Sequence, residues 1–151
     1  MIQIDGNVKR YYDFWFGVND AYDKLAKSKG ITLNTWYILY IIVEYPQCCT
    51  LKFICEKLLL PKQTVHNVLV SLSDKGYLER KPQPQDKRNK LLALTPQGQA
   101  YADDILNMFA NLEAQAFANL GPEKTAAFLA LTNAFYQELR NLLSDQAEEV
   151  K

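Results

Sequence analysis

A short run of polar residues in the middle of the chain has side chains that could read DNA bases. Gln63 and Asn67 can each present an amide that makes two hydrogen bonds to adenine, and Lys62 suits a phosphate. Thr64 could bond a phosphate or meet a thymine methyl group, and His66 shares the polar side of the run. The same residues also fit the solvated face of an ordinary surface helix, so their interpretation depends on the segments that surround them in the chain.

A second basic cluster lies further along, in the stretch KPQPQDKRNK. Arg88 could enter a minor groove, where narrow A·T tracts concentrate negative potential, and Lys87 and Lys90 suit phosphates. Asp86 could brace this loop through Arg80 if the flanking segments pair. A solvated turn accounts for the same residues, because Asp, Asn and Gln are common in loops.

The polar run lies on the second helix of a predicted helix-turn-helix. Thr50 is a candidate N-cap for a short third helix, and Pro61 fits the first position of a fourth helix that Gly76 ends. A short helix, a tight turn and a second helix of this length fit that motif. The inward side of the fourth helix is predicted to consist of Val65, Val68, Leu69 and Leu72.

The basic cluster lies between two predicted strands, residues 77–80 and 91–94, which together form a β-hairpin wing. Pro82 and Pro84 exclude a helix between them. Thr95-Pro96 then supplies the N-cap and first residue of a fifth helix.

Longer helices are predicted on both sides of this unit. The first runs from Val8 to Ala26, Thr32 caps a second, and Gly121-Pro122 separates the fifth from a sixth. The first, fifth and sixth carry apolar stripes at helical spacing, and pairing with a second copy would bury them. The alternative is that these helices fold back on their own chain.

The order helix, helix, short helix, helix, wing, helix, helix resembles the MarR family of winged-helix regulators. Asp86-Lys87-Arg88 matches the family's Asp-x-Arg wing signature, whereas His66-Asn67 stands where the family has a Thr-Arg-like pair. The other similar pieces are Ile31-Thr32 with Trp36, Ile38 and Leu39; Phe53 to Leu58; Gln63 to Asn67; Asp74 to Arg80; and Leu94 to Gly98.

This resemblance implies a mainly α fold with a small β-hairpin wing. Residues 1–31 would form an N-terminal dimerisation helix, residues 32–95 the winged helix-turn-helix, and residues 96–151 the C-terminal dimerisation helices. It also implies a bacterial-type transcriptional regulator, a repressor, that binds a pseudo-palindromic operator in double-stranded DNA as a homodimer.

The family resemblance further implies a small-molecule effector site between the dimer helices and the winged domain. An aromatic or phenolic effector would suit a cleft lined by aromatic side chains, although an aromatic core explains the same residues. The candidates are Tyr12, Trp15, Trp36, Tyr37 and Tyr40.

Charge is unevenly distributed along the 151 residues, although the formal net charge is zero. Between Thr50 and Thr95 nine basic residues face four acidic ones, and the rest of the chain is acidic. A basic middle segment favours a polyanionic partner for that segment alone.

Other chemistries find little support in the sequence. Cys48 and Cys49 suggest a redox-sensing regulator as one alternative, but no basic residue adjoins them, and Cys55 is predicted to be a small buried residue. No spacing of Cys and His matches a zinc site and no phosphate loop or nucleophile motif is present, so we expect neither an enzyme nor a cofactor.

We expect a cytoplasmic protein without a membrane partner. A winged-helix module that binds protein rather than DNA is the remaining alternative.

Overall fold

The structure is a computed structural model that describes residues 4–82 and 90–149, with side chains described up to residue 144. Within these ranges six helices and one two-stranded sheet follow each other. The elements are α1 (Gly6–Ser28), α2 (Leu33–Glu44), α3 (Leu51–Leu58), α4 (Lys62–Asp74), β1 (Leu78–Lys81), β2 (Leu91–Leu94), α5 (Pro96–Leu120) and α6 (Pro122–Glu149).

Three helices begin at the threonines that the sequence predicts as N-caps. The hydroxyls of Thr32, Thr50 and Thr95 each accept a hydrogen bond from the backbone N–H three residues later. Each bond satisfies a donor that the first helical turn leaves without a partner. The predicted starts of α2, α3 and α5 are therefore confirmed.

The start of α4 differs by one residue from the prediction. Pro61 is the residue before the helix rather than its first residue, because its ψ of 142° is extended. Proline has no side-chain acceptor, so α4 begins without a side-chain cap.

The end of α4 is a Schellman turn, which also moves the first strand. Gly76 adopts a φ of +72°, its N–H donates to the carbonyl of Ser73, and the N–H of Tyr77 donates to that of Leu72. Tyr77 thus belongs to this turn, and β1 covers Leu78–Lys81 rather than the predicted residues 77–80.

The hairpin is antiparallel, with Leu78 opposite Leu94 and Lys81 opposite Leu91. The N–H of Leu92 donates to the carbonyl of Cys49 over 2.8 Å, which ties β2 to the segment that precedes α3. The base of the wing is therefore anchored to the helix-turn-helix by backbone as well as by packing.

Two compact units divide the chain, Met1–Phe109 and Ala110–Lys151. The first contains the core, built around α2 with contributions from α3, α4, both strands and the first part of α5. The fully buried large side chains of this core are Ile38, Leu39, Ile54, Val65, Leu69, Leu72, Ile105 and Phe109.

The second unit holds the turn between α5 and α6. Gly121 has a φ of +82°, and the hydroxyl of Thr125 donates to the carbonyl of Phe117 over 3.1 Å. Along α6 large apolar side chains stay exposed, namely Phe128, Leu129, Leu131, Phe135, Tyr136, Leu139, Leu142 and Leu143. Among the described residues, no helix is long and apolar enough to cross a membrane.

Candidate nucleic-acid interface

The polar residues predicted to meet DNA lie on the solvent side of α4. Lys62, Gln63, His66 and Asn67 are exposed, and Thr64 is half-buried. On the opposite side Val65, Leu69 and Leu72 are buried in the core, whereas Val68 is only partly buried against it. The helix therefore presents a polar face on a firmly packed support, which a base-reading helix needs.

Gln63 and Asn67 form a pair on this face. The Nε2 of Gln63 donates to the Oδ1 of Asn67 over 2.7 Å, across one helical turn. The bond leaves the Gln63 carbonyl oxygen as an acceptor and the Asn67 amide as a donor. Adenine offers a donor and an acceptor in the major groove, so the pair is complementary to it.

Sequence reasoning missed an apolar residue on the exposed side of α4. Val70 is exposed although it is apolar, and it lies one turn beyond Asn67. Its three-residue spacing from Asn67 was the available signal, because residues three and four apart share a helix face.

The start of α4 is also suited to bind an anion. No described side chain caps the helix, and the first of its N–H groups to find a backbone acceptor is that of Val65, which donates to the carbonyl of Pro61. The preceding N–H groups and the positive end of the helix dipole suit an anion such as a phosphate.

The wing is described only at its base. Lys90 and Arg80 are exposed there, and Arg80 lies opposite Leu92 in the sheet register. The predicted contacts of Asp86, Lys87 and Arg88 fall outside the described residues, and so does the predicted brace between Asp86 and Arg80.

The predicted effector residues divide into two groups. The rings of Tyr37 and Tyr40 lie 4.9 and 6.3 Å from that of Trp36, and Phe109 stacks on Trp36 at 4.7 Å. The indole Nε1 of Trp36 is buried and has no hydrogen-bond partner among the described residues. Tyr12 and Trp15 lie exposed on α1, and Tyr12 contacts the neighbouring rings of Tyr11 and Phe16 instead.

A cavity of about 300 Å³ lies beside the C-terminal half of α4, in the first unit. None of the five predicted aromatic residues lines it. Its wall combines polar and apolar groups, including Ile31, Thr35, Val68, Ser71, Lys75 and Tyr101. Sequence reasoning missed it because its lining comes from three separate segments of the chain.

The two adjacent cysteines have different surroundings. Cys48 is exposed, whereas Cys49 is fully buried, and burial raises the pKa of the Cys49 thiol to about 12, with a smaller contribution from Cys48. A thiol with so high a pKa stays protonated and is a poor nucleophile, so the geometry disfavours a redox role for Cys49. Among the described residues no cluster of His, Cys, Asp and Glu could hold a metal ion.

A helix-turn-helix followed by a β-hairpin, with a polar face on its second helix, defines a winged helix-turn-helix protein.

Comparisons with known proteins agree with this class. A sequence model of the MarR family matches residues 29–89. The HTH-type transcriptional regulator YkoM of Bacillus subtilis (strain 168) is 35% identical over 107 residues, which is 70% of this chain and 68% of YkoM. The chain therefore belongs to the MarR family of transcription regulators, as the sequence resemblance predicted.

Solved structures confirm the fold. NMB1585, a MarR family regulator from Neisseria meningitidis, matches with a TM-score of 0.76 and 27% identity, over 94% of this chain and 99% of that one. The S. aureus MepR–DNA complex matches with a TM-score of 0.71 and 20% identity, over 91% and 99% of the two chains. The predicted mainly helical fold with a hairpin wing is thus confirmed.

Proposed function

We propose that the protein is a homodimeric repressor that binds a pseudo-palindromic operator in double-stranded DNA and leaves it when a small molecule binds. In this proposal α4 enters the major groove, and the wing between β1 and β2 reaches the adjacent minor groove. The S. aureus relative that shares this fold was crystallised with DNA, which supports the proposal at the level of the fold.

The observation that carries the proposal is the Gln63–Asn67 pair on the exposed face of α4. A surface helix needs no amide pair of this kind for stability, because both groups could bond to water. Held in one orientation, the pair offers a donor and an acceptor at once, and each bidentate contact discriminates between bases by about 1–3 kcal/mol. Lys62 and Thr64 would bond the phosphates that flank the bases.

The wing would add contacts from the predicted residues Lys87, Arg88 and Lys90. Because the segment between Thr50 and Thr95 carries nine basic and four acidic residues, it attracts a polyanion even though the chain as a whole is neutral. Arg88 is proposed for the minor groove and Lys87 and Lys90 for phosphates. Arg80 and Asp86 are proposed to support the hairpin.

Dimerisation is supported by the exposed apolar side chains outside the winged core. Phe135, Leu139 and Leu142 on α6 and Tyr11 and Trp15 on α1 remain exposed in a single chain. Patches of this kind mark association surfaces, and a second copy presents a self-complementary one. Residues 1–31 and 96–151 are accordingly proposed as the dimerisation segments, and residues 32–95 as the DNA-binding region.

Release by an effector is supported by the aromatic group around Trp36. Its buried indole N–H has no described partner, so a ligand with an oxygen acceptor, such as a phenol, would satisfy it. A ligand that prefers the dimer with badly spaced α4 helices lowers the DNA-bound population.

Selection of bound sequences from random duplex DNA tests the proposal. We expect a site with two related halves whose centres are about one helical turn apart, and affinity that falls with salt at a log–log slope near −0.9 per phosphate neutralised. Arg88→Ala should weaken binding most at sites with narrow minor grooves, whereas the exposed Lys124→Ala on α6 should not. Binding that selects no sequence, or that salt leaves unchanged, would refute the proposal and favour a protein partner.

A further inference from the structure

Leu59 occupies a conformation and an environment that do not suit leucine. It ends α3 in the left-handed region, with φ 53° and ψ 36°, and is the one described residue other than glycine with a positive φ. Its side chain is 88% exposed, more than any other exposed large apolar side chain of the described chain. A glycine would adopt this backbone without the crowding that a Cβ brings.

The turn does not depend on the leucine side chain. The backbone N–H groups of Leu59 and Leu60 both donate to the carbonyl of Cys55, and these bonds do not need a leucine side chain at position 59. Leu58 and Leu60 on either side pack against the core, so the turn is already held by apolar contacts. Neither backbone geometry nor packing among the described residues therefore accounts for a leucine here.

Leu59 lies close in sequence to the polar face of α4. Only Leu60 and Pro61 separate it from Lys62, the first residue of the helix, and both Lys62 and Gln63 are exposed. A partner that covers the first turn of α4 would therefore meet the chain only three residues from the exposed Leu59. In the major groove the apolar group on a base edge is the 5-methyl group of thymine.

We propose that Leu59 is a specificity-determining residue that packs against a thymine 5-methyl group at the edge of the operator half-site. This inference rests on the proposed function, because it requires α4 to enter DNA. It assigns the strained, exposed leucine a role in recognition, consistent with the tendency of backbone strain to persist at functional positions.

A thymine-to-uracil scan of the selected operator tests this contact, because it removes one methyl group at a time. For the wild-type protein we expect one position per half-site where uracil weakens binding about fourfold, the factor that burial of one methyl-sized group contributes. Leu59→Gly should weaken binding to the thymine operator and should abolish the uracil effect at that position. Leu59→Asn removes the apolar side chain but tolerates the left-handed backbone, so it should behave in the same way.

Two controls separate the contact from a change in folding or in base reading. The thermal unfolding midpoints of both Leu59 variants should equal or exceed that of the wild type, since both residues suit the turn better than leucine does. Asn67→Ala, which lies elsewhere on the face, should retain the uracil effect that Leu59 produces.

A uracil scan without effect, or an effect that persists in Leu59→Gly, overturns this inference and leaves the proposed function standing. A wild-type protein that selects no duplex at all overturns both.

Discussion

At the scale of single residues, Cys48 and Cys49 are chemically alike but differ in their surroundings. Cys49 is buried and its own carbonyl accepts the N–H of Leu92 in β2, whereas Cys48 faces solvent. The burial that raises the pKa of Cys49 stabilises its protonated form in the folded state alone. Cys49 is therefore a core residue whose ionisation opposes folding.

The first prediction concerns pH. The pKa of Cys49 is about 12 in the folded protein against an ordinary 9.0, so the unfolded chain loses this proton first as pH rises. The contribution of Cys49 is thus complete below about pH 9 and declines above it, by about 1.4 kcal/mol per pH unit. Urea unfolding at several pH values should show the wild type losing stability relative to Cys49→Ala, while Cys48→Ala keeps the wild-type slope. Parallel curves for wild type and Cys49→Ala would contradict the assignment.

The second prediction concerns the Gln63–Asn67 pair. Asn67→Ala should relax the preference for adenine by about 1–3 kcal/mol, or roughly 5- to 150-fold in relative affinity. Because the two side chains bond to each other, Gln63→Ala should also disorient Asn67. Binding measurements on both single variants and the double variant should show losses that do not add, with a coupling of about 0.5 kcal/mol or more. Additive losses would mean that the two amides act independently.

At the scale of elements, the close approach of α5 to the turn between α4 and β1 depends on one glycine. A Cβ added to Gly98 would lie 2.0 Å from the carbonyl oxygen of Tyr77, a backbone atom that also accepts the N–H of Thr95. The close approach lets α5 begin directly beneath the wing. A side chain at position 98 would force these two backbones apart.

The third prediction concerns the stability of this close approach. Gly98→Ala should destabilise the protein by about 3 kcal/mol or more, because the added Cβ would clash with backbone atoms of Tyr77, which cannot rotate away as a side chain could. Gly17→Ala in α1 is the matched control, since its Cβ would meet nothing within 4 Å and alanine suits a helix better by about 1 kcal/mol. Denaturant unfolding of both variants should show a lower free energy of unfolding for Gly98→Ala and a higher one for Gly17→Ala. A stable Gly98→Ala protein would mean that α5 and the turn at Tyr77 separate readily.

These elements show which kinds of structure the sequence predicts well. Helix starts at Thr32, Thr50 and Thr95 are predictable because a cap depends on residues three positions apart. The predicted role of Pro61 is wrong by one residue because proline fits both the residue before a helix and its first residue. Such one-residue errors leave the helix and its faces unchanged.

The candidate site is predictable on α4 and much less so elsewhere. Helical periodicity predicts which residues share a face. Once the buried side of α4 is recognised, Gln63 and Asn67 are therefore predicted to be exposed, as they are. It does not tell which element lies opposite, so the sequence predicts one cleft for Tyr12 and Trp36 although they make separate ring contacts. At Leu59 the sequence predicts only a turn, because the backbone conformation of a single residue is not visible in it.

At the scale of the whole molecule, apolar surface is distributed unevenly. The described buried core lies in Met1–Phe109, whereas the large apolar residues of α6 remain in solvent. The proposed dimer would bury them, and DNA binding would depend on it because two α4 helices must meet the duplex together.

The fourth prediction tests this dependence. The double variant Leu131→Asp with Leu139→Asp places two charges on the exposed stripe of α6 and should convert the dimer to a monomer. Sedimentation should show the change, and specific DNA affinity should fall at least tenfold. Circular dichroism should show that the winged core, which lies in the other unit, remains folded. Lys124→Asp changes charge on the same helix without touching the stripe and should stay dimeric. A monomeric wild-type protein would contradict the proposed assembly.

Because α4 has no side-chain cap, hydrogen exchange at its first turn can report DNA binding in the wild-type protein. Without a cap, the amide protons of Lys62, Gln63 and Thr64 should exchange with deuterium faster than that of Phe53 in α3, which donates to the Thr50 hydroxyl. If a phosphate accepts these amides, deuterium uptake at this one end of α4 should slow when the duplex is added. Mass spectrometry of the wild-type protein with and without the duplex would then show which end of α4 contacts the DNA backbone.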